Sequence, residues 1–263
     1  MDLGIKGAPA LVAAASKGIG RAVAEGLARE GARVAFFARS APDVQHTAQE
    51  IRAATGAEVL PLAGDVTVAG DVERIAGETV ARLGGLRILV TNAGGPPLGV
   101  FEEIDDGKWQ AAFELNLLSV VRLIRAAVPH MRAAGGGRIV NIQSTSVKQP
   151  IDGLILSNAI RTGAVGLAKT LATELGKDRI TVNTVCPGRI DTQRVRNLFA
   201  HRARSRGVTA EQALAAEEAL IPLGRLGTPD EVAAMVIFLC SEPARYVTGV
   251  TMQVDGGLVR GLF

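Results

Sequence analysis

Two stretches of the chain hold residue types whose spacing could do chemistry. The first runs Ala13-Ala14-Ala15-Ser16-Lys17-Gly18-Ile19-Gly20, a glycine-containing turn between an apolar run and a helical pattern. At such a turn backbone N–H groups and the positive end of a helix dipole together attract phosphate. Ala14 stands where a further glycine would be expected. Its methyl group resists positive φ, which would tighten the loop or displace a phosphate. Nineteen residues after Gly20, Arg39 ends a second apolar run. An acidic residue at that distance would accept hydrogen bonds from a ribose 2′-hydroxyl, whereas an arginine suits a 2′-phosphate. Lys17 adds a second cation to the same rim, so the pair favours NADP(H) over NAD(H). The alternative is two surface charges at loop tips.

The second stretch contains Asn141-Ile142-Gln143-Ser144, then Ser157 thirteen residues later, then Arg161 one helical turn beyond that. A serine hydroxyl can bind a substrate oxygen. The Arg161 guanidinium stays charged and presents a planar fork of donors, suited to ribose hydroxyls or a substrate carboxylate. It cannot carry a proton back and forth.

These residues need elements to hold them. Short apolar runs at Ala10–Ala13, Arg33–Phe37, Ala57–Leu62, Leu86–Val90, Arg138–Ile142, Ile180–Val185 and Val250–Val254 read as seven strands. Helical patterns lie between them: Arg21–Arg29, a helix through Ile51, Val68–Leu83, one long helix over Lys108–Arg132, and Ser157–Leu175. Continuous apolar strands separated by helices of this length predict a parallel sheet covered on both faces. The expected fold is therefore α/β: one doubly wound, Rossmann-type domain over residues 1–263, with a seven-stranded parallel sheet. Its ligands would lie beyond the carboxyl ends of the strands.

Apolar residues make up 48% of the 263, enough for a sizeable core, and the net charge of +3 is too small to argue for nucleic acid. The densest basic group, His201-Arg202-Ala203-Arg204-Ser205-Arg206, reads as a solvated face, with an anion-binding patch as the alternative. Cys186 and Cys240 make no disulfide framework and read as reduced core residues of a cytoplasmic protein. No leader peptide or membrane span is evident, and no metal site is expected.

With those residues in view, the chain resembles the short-chain dehydrogenase/reductase family, nearest to its 3-oxoacyl-acyl-carrier-protein reductase type. The likeness covers nearly the whole chain. Gly64-Asp65-Val66 is similar to the loop whose aspartate reads the adenine amino group. Asn92-Ala93-Gly94 resembles the motif that lines the cofactor cleft. Asn116 matches the asparagine that holds a water in the proton relay, and Ser144 the serine that binds the substrate oxygen. Pro187-Gly188-Arg189-Ile190-Asp191-Thr192 resembles the loop over the nicotinamide amide, and Val254-Asp255-Gly256-Gly257 the closing strand. Taken singly, Asp65 also reads as a helix cap, Asn92 as a turn residue and Pro187-Gly188 as loop punctuation.

The resemblance implies an NADP(H)-dependent oxidoreductase acting on a small-molecule or acyl-type carbonyl, assembled as a homotetramer or homodimer. It also implies a difference. Family members place a tyrosine and a lysine where Ser157 and Arg161 stand, because Thr162-Gly163-Ala164-Val165-Gly166 sets the register. A phenol has a pKa of about 10. An aliphatic hydroxyl lies nearer that of water, about 15.7. That gap of roughly 5–6 units means about 7–8 kcal/mol against forming the conjugate base. Three outcomes stay open. A water held by Ser144, Asn116 or Ser157 supplies the proton; or Lys148 or Asp152 turns inward; or the protein binds the dinucleotide without catalysis, as a sensor or assembly partner. The segment 192–223 lies where the family varies its substrate lid. It mixes Arg194, Arg196, Arg202, Arg204 and Arg206 with Leu198, Phe199 and Leu214, a combination suited to an anionic or acyl substrate, or simply to a helical flap with a basic face.

Overall fold

The computed structural model describes residues 2–262, apart from the side chains of His201, Arg202, Arg204, Ser205 and Arg206. The reading of that basic group therefore lies outside the described residues. Seven parallel strands form one sheet in the order β3-β2-β1-β4-β5-β6-β7. They are β1 (Pro9–Ala13), β2 (Arg33–Ala38), β3 (Val59–Ala63), β4 (Ile88–Thr91), β5 (Gly137–Ile142), β6 (Ile180–Pro187) and β7 (Thr251–Val254). The strand order reverses between β1 and β4, which opens a crevice beyond their carboxyl ends.

Alternation along each strand builds two cores. In β1, Ala10 and Val12 face one layer while Leu11 and Ala13 face the other; in β2, Val34 and Phe36 oppose Ala35 and Phe37. Both faces are covered, so the strands are apolar throughout. The first layer is closed by α1 (Gly18–Arg29), α2 (Ala41–Thr55) and α9 (Pro229–Cys240), and the second by α3 (Ala69–Leu83), α5 (Ser119–Ala133) and α6 (Ile155–Glu174).

The helix ends follow local chemistry. Asp43 N–H donates to Ser40 Oγ at the start of α2, and Gly56 ends it at φ 69. Thr228 and Glu231 form a reciprocal capping box on α9. The sequence pattern had not shown α9 as a helix. Val-Ala-Ala-Met-Val-Ile-Phe-Leu-Cys is apolar on nearly every side, because the helix is wedged against α1 and the sheet and needs no polar stripe.

The single long helix expected over Lys108–Arg132 is not continuous. It is α4 (Asp106–Phe113), a π-helical turn over Glu114–Leu118, and then α5. The wider turn sets Asn116 inward, and its Nδ2 donates to the carbonyl of Gly94 at 2.8 Å. The expected lid segment folds as α7 (Gln193–Arg206) and α8 (Ala210–Glu218). Phe199, Ile221 and Leu226 give it a small apolar cluster of its own. Among the described residues no helix is long and apolar enough to cross a membrane.

Candidate active site

In the glycine turn after β1 the alanine takes up the positive φ that its methyl group was expected to resist. Ala14 adopts φ 49, the left-handed region that an alanine reaches only with strain, and Gly18 adopts φ 58. The strain is held by neighbours: Asn92 Nδ2 donates to the Ala14 carbonyl at 3.2 Å, and Thr47 Oγ1 to that of Ser16 at 2.8 Å. Gly20 is required by contact, since a Cβ there would lie 2.5 Å from the Ala14 carbonyl oxygen. Lys17, the N-cap of α1, offers no side-chain cap, so the first N–H groups at Gly18, Ile19 and Gly20 face the crevice uncapped.

Arg39, at the end of β2, is exposed, as is Lys17. Neither has an ion-pair partner among the described residues. Asp65 is not a helix cap: α3 starts with Val68 at its N-cap. Asp65 Oδ1 instead accepts from Thr67 N–H and Oγ1 and so shapes its own loop, with Val66 buried beside it.

A cavity of about 1040 Å³ begins at Ile19, passes Asn92, Ala93 and Gly94, and continues to Ser144, Ser157 and Arg161. Pro187, Gly188, Ile190 and Thr192 line it from the β6 side, and Leu198 and Phe199 from α7. Ser16, Lys17, Gly18, Gly20, Arg39, Asp65 and Val66 lie outside this cavity, along the crevice after β1, β2 and β3. Asn116 lies behind its wall: its Nδ2 holds Gly94 in place, and its Oδ1 is buried without a partner among the described residues.

Ser144 follows β5 and caps a short turn over Thr145–Val147, its Oγ accepting from Ser146 N–H at 3.1 Å. Having accepted, that hydroxyl keeps its own proton to donate. Ser157, in the first turn of α6, is 5% exposed and shares a 3.0 Å hydrogen bond with Ser146 Oγ. Arg161 is 6% exposed. It donates to Gln143 Oε1 at 3.2 Å and to the Gly94 carbonyl at 3.3 Å, both neutral oxygens. Burial, and then the nearby charge of Arg194, push its pKa down to about 10, so it remains a cation at neutral pH. Cys186 sits close beneath, its thiol pushed up to about 11 by burial and therefore inert. Of the two substitute groups considered, Asp152 lines the cavity and Lys148 does not.

Ser146, which joins Ser144 to Ser157, was not singled out from sequence. Arg194, one of the arginines of segment 192–223, and Arg189, in the Pro187–Thr192 loop, were in view without their partners: Arg194 reaches from α7 to the carbonyls of Gly95 and Pro96, and Arg189 pairs with the buried Glu217 in the cavity wall. None has a local signature, because each contact joins distant segments.

The family model described as enoyl-(acyl carrier protein) reductase matches residues 13–259. A rabbit protein, dehydrogenase/reductase SDR family member 4, is 35% identical over 252 residues, 94% of this chain and 92% of its own. The chain belongs to the short-chain dehydrogenase/reductase family. Within that family it is 37% identical over 251 residues to a Streptomyces coelicolor protein named as a ketoacyl reductase, covering 95% of this chain and 96% of that one. The short-chain reductase fold is shared with L-sorbose reductase from Gluconobacter frateurii, solved with NADPH and L-sorbose. The TM-score is 0.95 at 36% identity, over the full length of both chains.

Proposed function

We propose that the protein is an NADPH-dependent oxidoreductase that reduces the carbonyl of a small-molecule or acyl-type substrate by an atypical proton path. The observation that carries this is the single cavity running from the first turn of α1 to the Ser144 hydroxyl. The residues present fit NADP(H). The uncapped N–H groups of α1 and the close approach permitted by Gly20 suit a pyrophosphate, and the unpaired cations Arg39 and Lys17 suit a 2′-phosphate. Asp65, Asn92 to Gly94 and the Pro187 to Thr192 loop would hold the rest. When bound, the nicotinamide supplies a hydride. The L-sorbose reductase solved with NADPH supports the cofactor, and the ketoacyl reductase relative supports the reaction class.

The chain's own residues do the remainder. Ser144 donates a hydrogen bond to the substrate oxygen and keeps its proton. Ser157 and Arg161 take the places of the family's tyrosine and lysine. Ser157 is already bonded to Ser146 and carries no readily lost proton. Arg161 places a permanent charge beside the site, and that field stabilises the oxygen as negative charge develops on it. The proton then comes from water rather than from a phenol. A positioned acid contributes typically about 10²–10⁴-fold, so turnover is expected to be slow rather than absent.

One observation favours a second reading, a catalytically inactive NADP(H)-binding homologue. The only tyrosine, Tyr246, is 98% exposed and takes no part in lining the cavity. The deciding experiment is calorimetric titration with NADPH and NADH, followed by NADPH oxidation with a panel of ketones and oxo acids. NADPH-selective binding with substrate-dependent oxidation supports the enzyme, and binding without turnover supports the inactive homologue. Failure to bind either nucleotide would overturn both.

A further inference from the structure

The innermost part of the cavity holds more positive charge than the structure neutralises. Arg161 is buried there, and its guanidinium meets only the neutral oxygens of Gln143 and Gly94. Arg194 comes from the opposite side, from the first turn of α7, and donates to the next two carbonyls of the same loop, Gly95 at 3.0 Å and Pro96 at 3.2 Å. It is pressed close: a Cβ on Gly95 would collide with its guanidinium. The Arg194 charge also reaches Arg161, depressing its pKa after burial has done so, and burial lowers that of Arg194 in turn.

Neighbouring acids do not relieve this. Glu217 is paired with Arg189, and Asp191 with Arg196. Asp152 lines the cavity but is itself exposed, and forms no ion pair among the described residues. Two guanidiniums of like charge facing one space beside Ser144, Arg161 buried and Arg194 partly open to solvent, favour an anion. A buried cation gains most from a charge-assisted partner, and a guanidinium matches a carboxylate edge to edge.

We infer that Arg161 and Arg194 form a carboxylate-binding subsite, and that the substrate is an oxo acid whose carbonyl meets Ser144 while its carboxylate lies between the two guanidiniums. The carbonyl half rests on the reductase reading above; the anion half does not. The span is short. Arg161 is bonded to Gln143, the residue before Ser144, and stands one helical turn from Ser157, so only a few atoms separate carbonyl from carboxylate.

The test is calorimetric titration of the full chain, held with NADP+ so that no turnover occurs, with pyruvate, acetoacetate and levulinate, each against its methyl ester. The expected result is that at one of the three spacings the acid binds at least tenfold tighter than its ester. Arg194→Gln should cut that preference below threefold while NADPH affinity changes by less than threefold. Arg161→Lys, which keeps the charge, should retain part of the preference, and Arg161→Met should lose it. Thermal melts establish that each variant is folded. Esters binding as well as acids at all three spacings would overturn the subsite. So would NADPH affinity falling in both variants with acid preference untouched, which would assign the arginines to the cofactor. Acid preference without any NADPH oxidation would sink the reductase reading and leave the subsite standing.

Discussion

Ser157 and Arg161 owe their behaviour to what surrounds them. A serine with a neighbouring hydroxyl and an arginine without a carboxylate make a site rich in fixed charge and poor in mobile protons. Placing a tyrosine and a lysine at these two positions together tests the proposed proton path. The double variant Ser157→Tyr/Arg161→Lys is expected to raise ketone reduction by about 10²-fold or more, the contribution of a positioned acid. Unchanged turnover in a folded, NADPH-binding variant would show a pocket rebuilt around the new pair. Arg39 makes a separate prediction. Removing a charge-assisted partner costs about 1.5–3 kcal/mol, so Arg39→Ala should weaken NADPH roughly 10–150-fold and NADH hardly at all. Equal losses in titrations with the two nucleotides would reject its role. At Ala14 the left-handed backbone costs an alanine about 1 kcal/mol. Ala14→Gly is therefore expected to raise the urea midpoint by a corresponding amount. The positions of all four residues could be read from spacing, but their partners could not. Ser146 enters, and Arg194 finds its partners, only once β5, α6 and α7 converge.

At the scale of elements, apolar runs alternating with helical spacing placed the strands and most helices, and the exceptions have a common cause. The π turn at Glu114–Leu118 and the helix α9 are both decided by what packs against them. Asn116 gains the Gly94 carbonyl only through the wider turn, and an all-apolar α9 gains its periodicity only from burial. The α9 cap can be tested directly. Thr228→Ala removes the side chain that accepts from Glu231 N–H and should lower stability by about 1 kcal/mol in urea denaturation. Glu231 itself is held down to about 2, first by Arg225 and then by the Thr228 N–H. Its folded pKa lies below the ordinary carboxylate value of about 4.3. The stability it contributes is therefore present above that value and is lost as pH falls towards 2. Melting temperatures should drop over that window, and Glu231→Gln should flatten part of the drop. An unchanged acid limb would remove Glu231 from the account.

At the scale of the whole molecule, the crevice beyond β1 and β4, the Ser144 cavity and helix α7 all sit at one end of the sheet, so binding there should be felt throughout. NADPH at about 100 times its dissociation constant is expected to add about 2.7 kcal/mol. In a domain of this size that is a rise of roughly 5–10 °C in melting temperature. No rise, with the protein folded, would contradict dinucleotide binding. The alternation of seven apolar runs with helices determined the doubly wound sheet from sequence alone, because a strand buried on both faces must be apolar throughout. Burial on that scale needs no partner to be specified in advance. The tertiary structure alone decided which charges meet. Arg161 and Arg194 are thirty-three residues apart and belong to different helices. Whether a guanidinium is paired, hydrated or stranded depends on distances of a few ångströms that only the closed fold sets.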